Sequence, residues 1–337
     1  MRSLGDRAHA ALLVVIIVVG LAAGTGVSAQ GSVKLDAYAE WKRDGALIVD
    51  GQRVMVDGRT RWKGTYRRVE DVPLGDEVRV SGTRRGDGVV VAREIDVRPN
   101  GNALFESEVQ QGSAELERLW LRNGEAFEAA DDGKKIVIGE ISERGARVNR
   151  VRRLVERLAP PYVDQGRIRV YVIDNKEWNA MAMGNGAIWV FSGIMDDMPD
   201  EDLAIVVGHE LAHYTHEHSR RQMRRGIWTG LGGLAALLAA EAIDSDALRT
   251  TAQVGAALTL SALTSGYGRD LEDQADRVGL RYAYEAGFNV KRAPGVWGRF
   301  LEKYGEGNRL TNFFFSDHSQ ASARRRNLEA EIRHNGY

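Results

Sequence analysis

The chain has no cysteine. That excludes disulfides, thiolate zinc sites, iron–sulfur clusters, a cysteine nucleophile and a lipid-modified amino-terminal cysteine, so any metal must be held by His, Asp or Glu. Histidine is scarce, 7 in 337 residues, and proline scarcer at 6. An excess of one charge sign is also missing: 46 Lys and Arg against 47 Asp and Glu leave a formal net charge of −1. No global field draws the protein to nucleic acid or an anionic surface, and such a role would need a local patch. With 43% hydrophobic and 28% charged residues the chain is globular in composition, and its length allows two or three domains.

Residues 1–29 read as a secretory signal. Arg2 and Arg7 precede an apolar run from Ala10 to Ala23, and Val27-Ser28-Ala29 before Gln30 is a small-x-small cleavage pattern. The run is shorter than the ~20 residues of a spanning helix, which favours cleavage over an uncleaved anchor. The expectation is an exported protein of the periplasm or cell envelope.

Residues 33–99 have β texture. Short alternating stretches such as Ala46–Val49 and Arg53–Val56 are punctuated by Asp44-Gly45, Asp50-Gly51, Asp57-Gly58 and Asp87-Gly88. Five or six such strands without a helix signal predict a small barrel of the OB or SH3-like sort, whose closure hides sheet edges. Trp41, Trp62, Tyr66, Arg67 and Arg68 would suit a nucleic-acid platform, but the favoured reading has both tryptophans in a small core and the arginines balanced by nearby acids. No nucleic-acid partner is expected, and the barrel's partner is not legible. Residues 100–145 read as a linker of mixed polar and helical texture. Beyond it, Val148 to Leu158 predicts an amphipathic helix, and Ile168–Ile173 and Ala187–Phe191 predict strands. The fold class is multidomain α+β: the barrel, then a mostly helical unit with a small sheet over 146–337.

The chemistry lies in Gly208-His209-Glu210-Leu211-Ala212-His213. Residues four apart share a helix face, so His209 and His213 can hold one zinc ion per chain while Glu210 flanks its water. Zinc acidifies bound water and polarises a carbonyl, and a neighbouring carboxylate can carry the proton to the leaving amine. Asp200-Glu201-Asp202 supplies an acidic helix start. A catalytic zinc takes three protein ligands and keeps one open position. His216, on the same helix face, would strain tetrahedral geometry; it and His218 read as surface histidines at the helix end. Downstream, Glu272 and Asp276 again share a face. One reading makes Glu272 the third ligand and Asp276 the acceptor that fixes a ligand histidine's tautomer; the other is a solvated acidic helix start.

The pattern Asn179-Ala180, Gly184-Asn185-Gly186-Ala187-Ile188-Trp189-Val190, Gly193-Ile194-Met195, Asp202, Gly208 to His213, His218-Ser219, then Arg269-x-x-Glu272-x-x-Ala275-Asp276 closely resembles the HtpX, Oma and CAAX-prenyl-protease family of gluzincin metallopeptidases. It covers residues 146 to the end. The resemblance implies His209, His213 and Glu272 as zinc ligands, Glu210 as the base, and Asp276 behind the ligands. Two departures stand out: Gly268 where the family usually has Ser, and His318-Ser319 where it has His-Pro. The segment from Phe315 to Arg324 resembles the family's His-Pro … Arg element and implies His318 and Arg324 as donors to the oxyanion.

Ala187, Ile188, Trp189 and Val190 are expected to form a sheet edge on which an extended substrate adds as a further strand. Between the zinc helices, Ile227–Ala240 and Thr250–Gly268 are uncharged. They read as a helical hairpin packed on the catalytic domain in preference to a transmembrane pair, with Arg220, Arg221, Arg224 and Arg225 placed for peripheral membrane contact through 220–268. The resulting expectation is a zinc endopeptidase acting on unfolded or misassembled envelope polypeptides. The alternatives are a non-proteolytic, zinc-stabilised chaperone-like binding module and a barrel-centred nucleic-acid binder with a vestigial protease domain, against which Glu210 argues because neither needs a base beside the water.

Overall fold

A computed structural model describes residues 31–98, 103–129, 135–222, 267–305 and 321–337. The signal at 1–29, most of the segment 220–268, and His318 lie outside the described residues.

The first sheet is built from β1 (Gly31–Arg43), β2 (Ala46–Val49), β3 (Gln52–Met55), β4 (Arg61–Lys63), β5 (Glu77–Arg84) and β6 (Val90–Arg98). Its order is β3-β2-β1-β5-β6-β4, and β3 pairs with β6 as well. Asp44-Gly45 and Asp50-Gly51 make the first two hairpins with positive φ at all four residues (49°, 69°, 49° and 71°), the left-handed geometry of two-residue type I′ turns. Leu47, Val49, Val54, Val78, Val80 and Ile95 fill this sheet's own core, against which Trp62 packs. Trp41 does not join them. With Ile48 it packs into the core of the second unit, so the outer face of β1 and β2 is an interdomain surface.

The second sheet runs β10-β11-β9-β8-β7. Its strands are β7 (Glu125–Ala129), β8 (Lys135–Ser142), β9 (Arg169–Asp174), β10 (Ala180–Ala182) and β11 (Ala187–Phe191). Residues 100–145 are therefore more than a linker: they carry helix α1 (Ala103–Asn123) and two strands, with β8 hydrogen-bonded to β9. Trp120 of α1 is fully buried edge-on against Trp189, with 5.1 Å between ring centres, and Glu117 receives Arg169, Tyr171 and Asn185. The polar texture that suggested a linker belongs to exposed positions of these elements, such as Lys135, Glu140 and Ser142 of β8. Strand β11 is also not an edge. It lies between β10, antiparallel, and β9, parallel, so the edge is Ala180–Ala182.

Helix α2 (Ala146–Leu158) buries Val148, Val151, Leu154, Val155 and Leu158, the i, i+3, i+4, i+7 face read from sequence. After α3 (Ser192–Asp197) comes α4 (Asp200–Thr215), the metal-motif helix, buried from Asp202 to His213. Asp202 at its start binds both Arg292 and Arg299. Helices α5 (Arg269–Glu285), α6 (Ala293–Tyr304) and α7 (Ala321–Asn335) complete the unit. No helix among the described residues is long and apolar enough to cross a membrane.

Candidate metal centre

His209 and His213 are one turn apart on α4, which aims both rings at α5. Their Nε2 atoms are 2.9 Å apart, and each lies 3.4 Å from an oxygen of Glu272. All three side chains are buried, and the ligand atoms lie within 4.8 Å of one another. Donors on a tetrahedral zinc with bonds of about 2.0–2.2 Å are spaced about 3.3 Å apart, so two nitrogens and a carboxylate at these separations fit such an ion. The alternative reading of Glu272, a solvated helix start, is overturned by its complete burial.

The outer nitrogen of His209 is held in turn: Nδ1 is 3.0 Å from Oδ1 of Asp276. Arg324 of α7 forks onto the same carboxylate, Nε to Oδ2 at 2.9 Å and Nη2 to Oδ1 at 2.5 Å, and lies flat over Trp297 at 3.5 Å. Its Nη1 is 3.4 Å from Glu272. Arg324 was expected as an oxyanion donor. Its guanidinium is buried among Asp276, Glu272 and the His209 ring, with Nη2 2.9 Å from His209 Nδ1 and 3.2 Å from Nε2. Burial and the Arg324 charge push the His209 pKa down, but its hydrogen bonds to Asp276 and Glu272 outweigh them and raise it to about 9.

Glu210 is buried beside the triad, and its carboxyl is pushed up to about 7, chiefly by burial and then by Glu272, against the pull of His209, Arg324 and the Ala182 backbone N–H. That N–H belongs to the edge strand β10, which brings the sheet edge to Glu210.

His216 and His218 are not surface residues. Both are buried, because the chain turns back into the interior after α4 with Glu217 at φ 53°. His216 is outside the metal-ligand cluster and contacts Thr215 at 3.0 Å. His218 supports the site: its Nδ1 is 2.7 Å from Nδ1 of His213. Sequence reasoning also passed over Tyr267, stacked on His213 with ring centres 4.1 Å apart, and Trp297, edge-on to His209 at 5.7 Å. The position of Tyr267 just ahead of α5 was its only signal.

Comparison with known proteins agrees with this geometry. The chain is 28% identical over 165 residues to metalloendopeptidase OMA1, mitochondrial, of Bos taurus, covering 47% of this chain and 32% of the relative. It is 29% identical over 162 residues to metalloprotease YcaL of Escherichia coli (46% and 58%). With the putative beta-barrel assembly-enhancing protease of Vibrio cholerae it shares 28% over 142 residues (40% and 28%). The matched region spans less than two thirds of each relative's length. Residues 39–96 match a domain of unknown function, DUF5666, and residues 145–332, more than half of the chain, match peptidase family M48. That match includes the helix-borne histidine pair and the distant buried glutamate, and the chain belongs to peptidase family M48.

Proposed function

We propose that this protein is a zinc endopeptidase of the cell envelope that cuts unfolded or misassembled polypeptides. The observation that carries the reading is the burial of Glu210 beside the His209, His213 and Glu272 triad and next to a sheet edge. A binding module needs three ligands; it does not need a carboxylate kept near neutral pKa beside them.

His209, His213 and Glu272 would hold the ion, and zinc bound there would supply a Lewis acid able to acidify water and polarise a peptide carbonyl. Ionised Glu210 takes the proton from the attacking water and delivers it to the leaving amide nitrogen. Substrate lies extended along β10, adding backbone hydrogen bonds to the edge strand, so that recognition rests on backbone more than on side chains. Asp276 fixes the His209 tautomer, and Arg324 positions Asp276 and Glu272. His318 serves as the oxyanion donor.

The pairing of β3 with β6 supports reading the first sheet as a small closed barrel. The amino-terminal signal pattern supports export, as does similarity to a protein named as a beta-barrel assembly-enhancing protease. Arg220 and Arg221, expected at a membrane surface, are instead buried, Arg220 against Glu217 and Arg221 against Gln274 and Tyr38; contact with the membrane surface is assigned to the rest of the segment, residues 223–268.

Purified protein is to be assayed on an unfolded substrate such as casein, with zinc measured by elemental analysis. Wild type should carry one zinc and cleave, Glu210→Gln should keep zinc and lose cleavage, and Glu272→Ala should lose zinc. Equal cleavage by wild type and Glu210→Gln would remove the mechanism; zinc without any cleavage would favour the binding module.

A further inference from the structure

The two ligand histidines are supported in different ways. His209 meets a carboxylate directly, whereas the support of His213 leaves its own domain. From His213 Nδ1 the contacts run to His218 Nδ1 at 2.7 Å, from His218 Nε2 to Gln274 Oε1 at 3.0 Å, and from Gln274 Nε2 to Glu40 Oε1 at 2.8 Å. Glu40 belongs to β1 of the first sheet, yet is only 1% exposed.

Once Nε2 of His213 faces an ion, a single assignment pairs a donor with an acceptor at every step. His213 Nδ1–H donates to His218, His218 Nε2–H donates to the Gln274 carbonyl, and the Gln274 amide donates to the Glu40 carboxylate. Arg221 also donates to the Gln274 oxygen, which fixes the amide's orientation. The polarity of the chain therefore runs one way, from metal ligand to a carboxylate in another domain.

Local geometry shows how β1 supplies that carboxylate. The β1–β2 register slips between Ala39 and Trp41, so Glu40 sits at a bulge, a device that re-aims a side chain. Ala39 stays in the first sheet's own core while Trp41 enters the second unit's core. Arg277 holds Glu40 at 2.7 Å and reaches Asp50 of the β2–β3 turn at 3.1 Å.

We propose that Glu40 is a positioning residue for the ligand His213, acting through Gln274 and His218, so that the amino-terminal sheet completes the metal centre. The proposal rests on the metal-site reading above. Partners behind metal ligands fix ring orientation and raise ligand basicity, and their loss typically costs 10–100-fold in metal affinity.

The test measures zinc affinity of the full chain by chelator competition, together with the visible spectrum of the cobalt(II)-substituted protein. Gln274→Met breaks the relay while leaving the Glu40–Arg277 pair in place, and should weaken zinc about 10–100-fold. Glu40→Gln keeps the side-chain volume and should weaken it roughly tenfold. The double variant should be no weaker than Gln274→Met alone, as members of one chain are not additive. Both single variants should shift the cobalt bands. Asp50→Ala removes the other partner of Arg277 at the same domain contact and should leave affinity and spectrum unchanged. Wild-type affinity and spectrum in Gln274→Met and Glu40→Gln overturn the proposal, as does equal weakening by Asp50→Ala, which would make domain docking the cause. A wild-type chain that takes up no zinc at all removes the metal-site reading itself.

Discussion

Gly208 of α4 and Gly279 of α5 meet backbone to backbone. A Cβ on Gly279 would lie 2.6 Å from the His209 amide nitrogen and 2.7 Å from the Gly208 carbonyl carbon; one on Gly208 would lie 2.9 Å from the Gly279 carbonyl oxygen. This close crossing at the level of His209 is what lets Glu272, two turns back along α5, reach the ligand histidines. The obstacle to a methyl group here is main chain, which cannot swing aside as a side-chain tip does. Gly279→Ala should therefore separate the helices, lowering apoprotein stability by about 1–3 kcal/mol in urea unfolding. Zinc affinity should fall with it, because the ligands move apart. An alanine variant with wild-type midpoint and affinity would show that the crossing is not tight.

Arg324 distinguishes two roles by kinetics. Arg324→Met leaves Asp276 as a buried charge without its fork, a change that costs roughly 3–5 kcal/mol when one partner of a buried pair is removed. Arg324→Lys should recover only part of this, since an ammonium cannot make the parallel pair of bonds. As a positioning residue, Arg324 acts through the ligands, so saturating zinc should restore most of the kcat lost in the lysine variant. A kcat that stays low at saturating zinc would instead assign the guanidinium to the reacting carbonyl.

How much of this was legible in the sequence depends on range. The histidine pair and the base follow from helical spacing alone, and the hairpins of the first sheet from Asp-Gly turns, because both are local. For Glu272 the residues alone left a metal ligand and a solvated helix start equally open, and only the family pattern favoured the ligand. The sheet edge is not legible at β10 because nothing in the three residues Ala180–Ala182 announces a strand, which leaves β11 as the apparent edge. Glu40 was invisible for a different reason: a glutamate in an alternating strand reads as solvent-facing, and only the bulge at Ala39/Trp41 turns it inward. His218 was misread because a polar residue past a helix end is usually exposed, while here the chain folds back through the left-handed turn at Glu217.

His216 gives the fold a pH dependence separable from metal loss. Burial pushes its pKa down to about 4, with Arg221 acting in the same direction and Glu40 against it. The unfolded chain protonates such a histidine near pH 6.5, which the folded protein resists. Its contribution is therefore intact above pH 6.5 and declines as the pH falls toward 4, where it has cost roughly 3 kcal/mol. His216→Gln should flatten that decline by a comparable amount in apoprotein unfolding measured across this interval, and should leave zinc stoichiometry at neutral pH unchanged because His216 lies outside the ligand set. Comparing variant with wild type cancels the opposite slope from His209, whose raised pKa stabilises the apoprotein at low pH and is lost as the pH rises through about 9. If the two proteins show the same pH slope between 6.5 and 4, His216 is accessible to protons in the folded state and the buried turn after α4 opens readily.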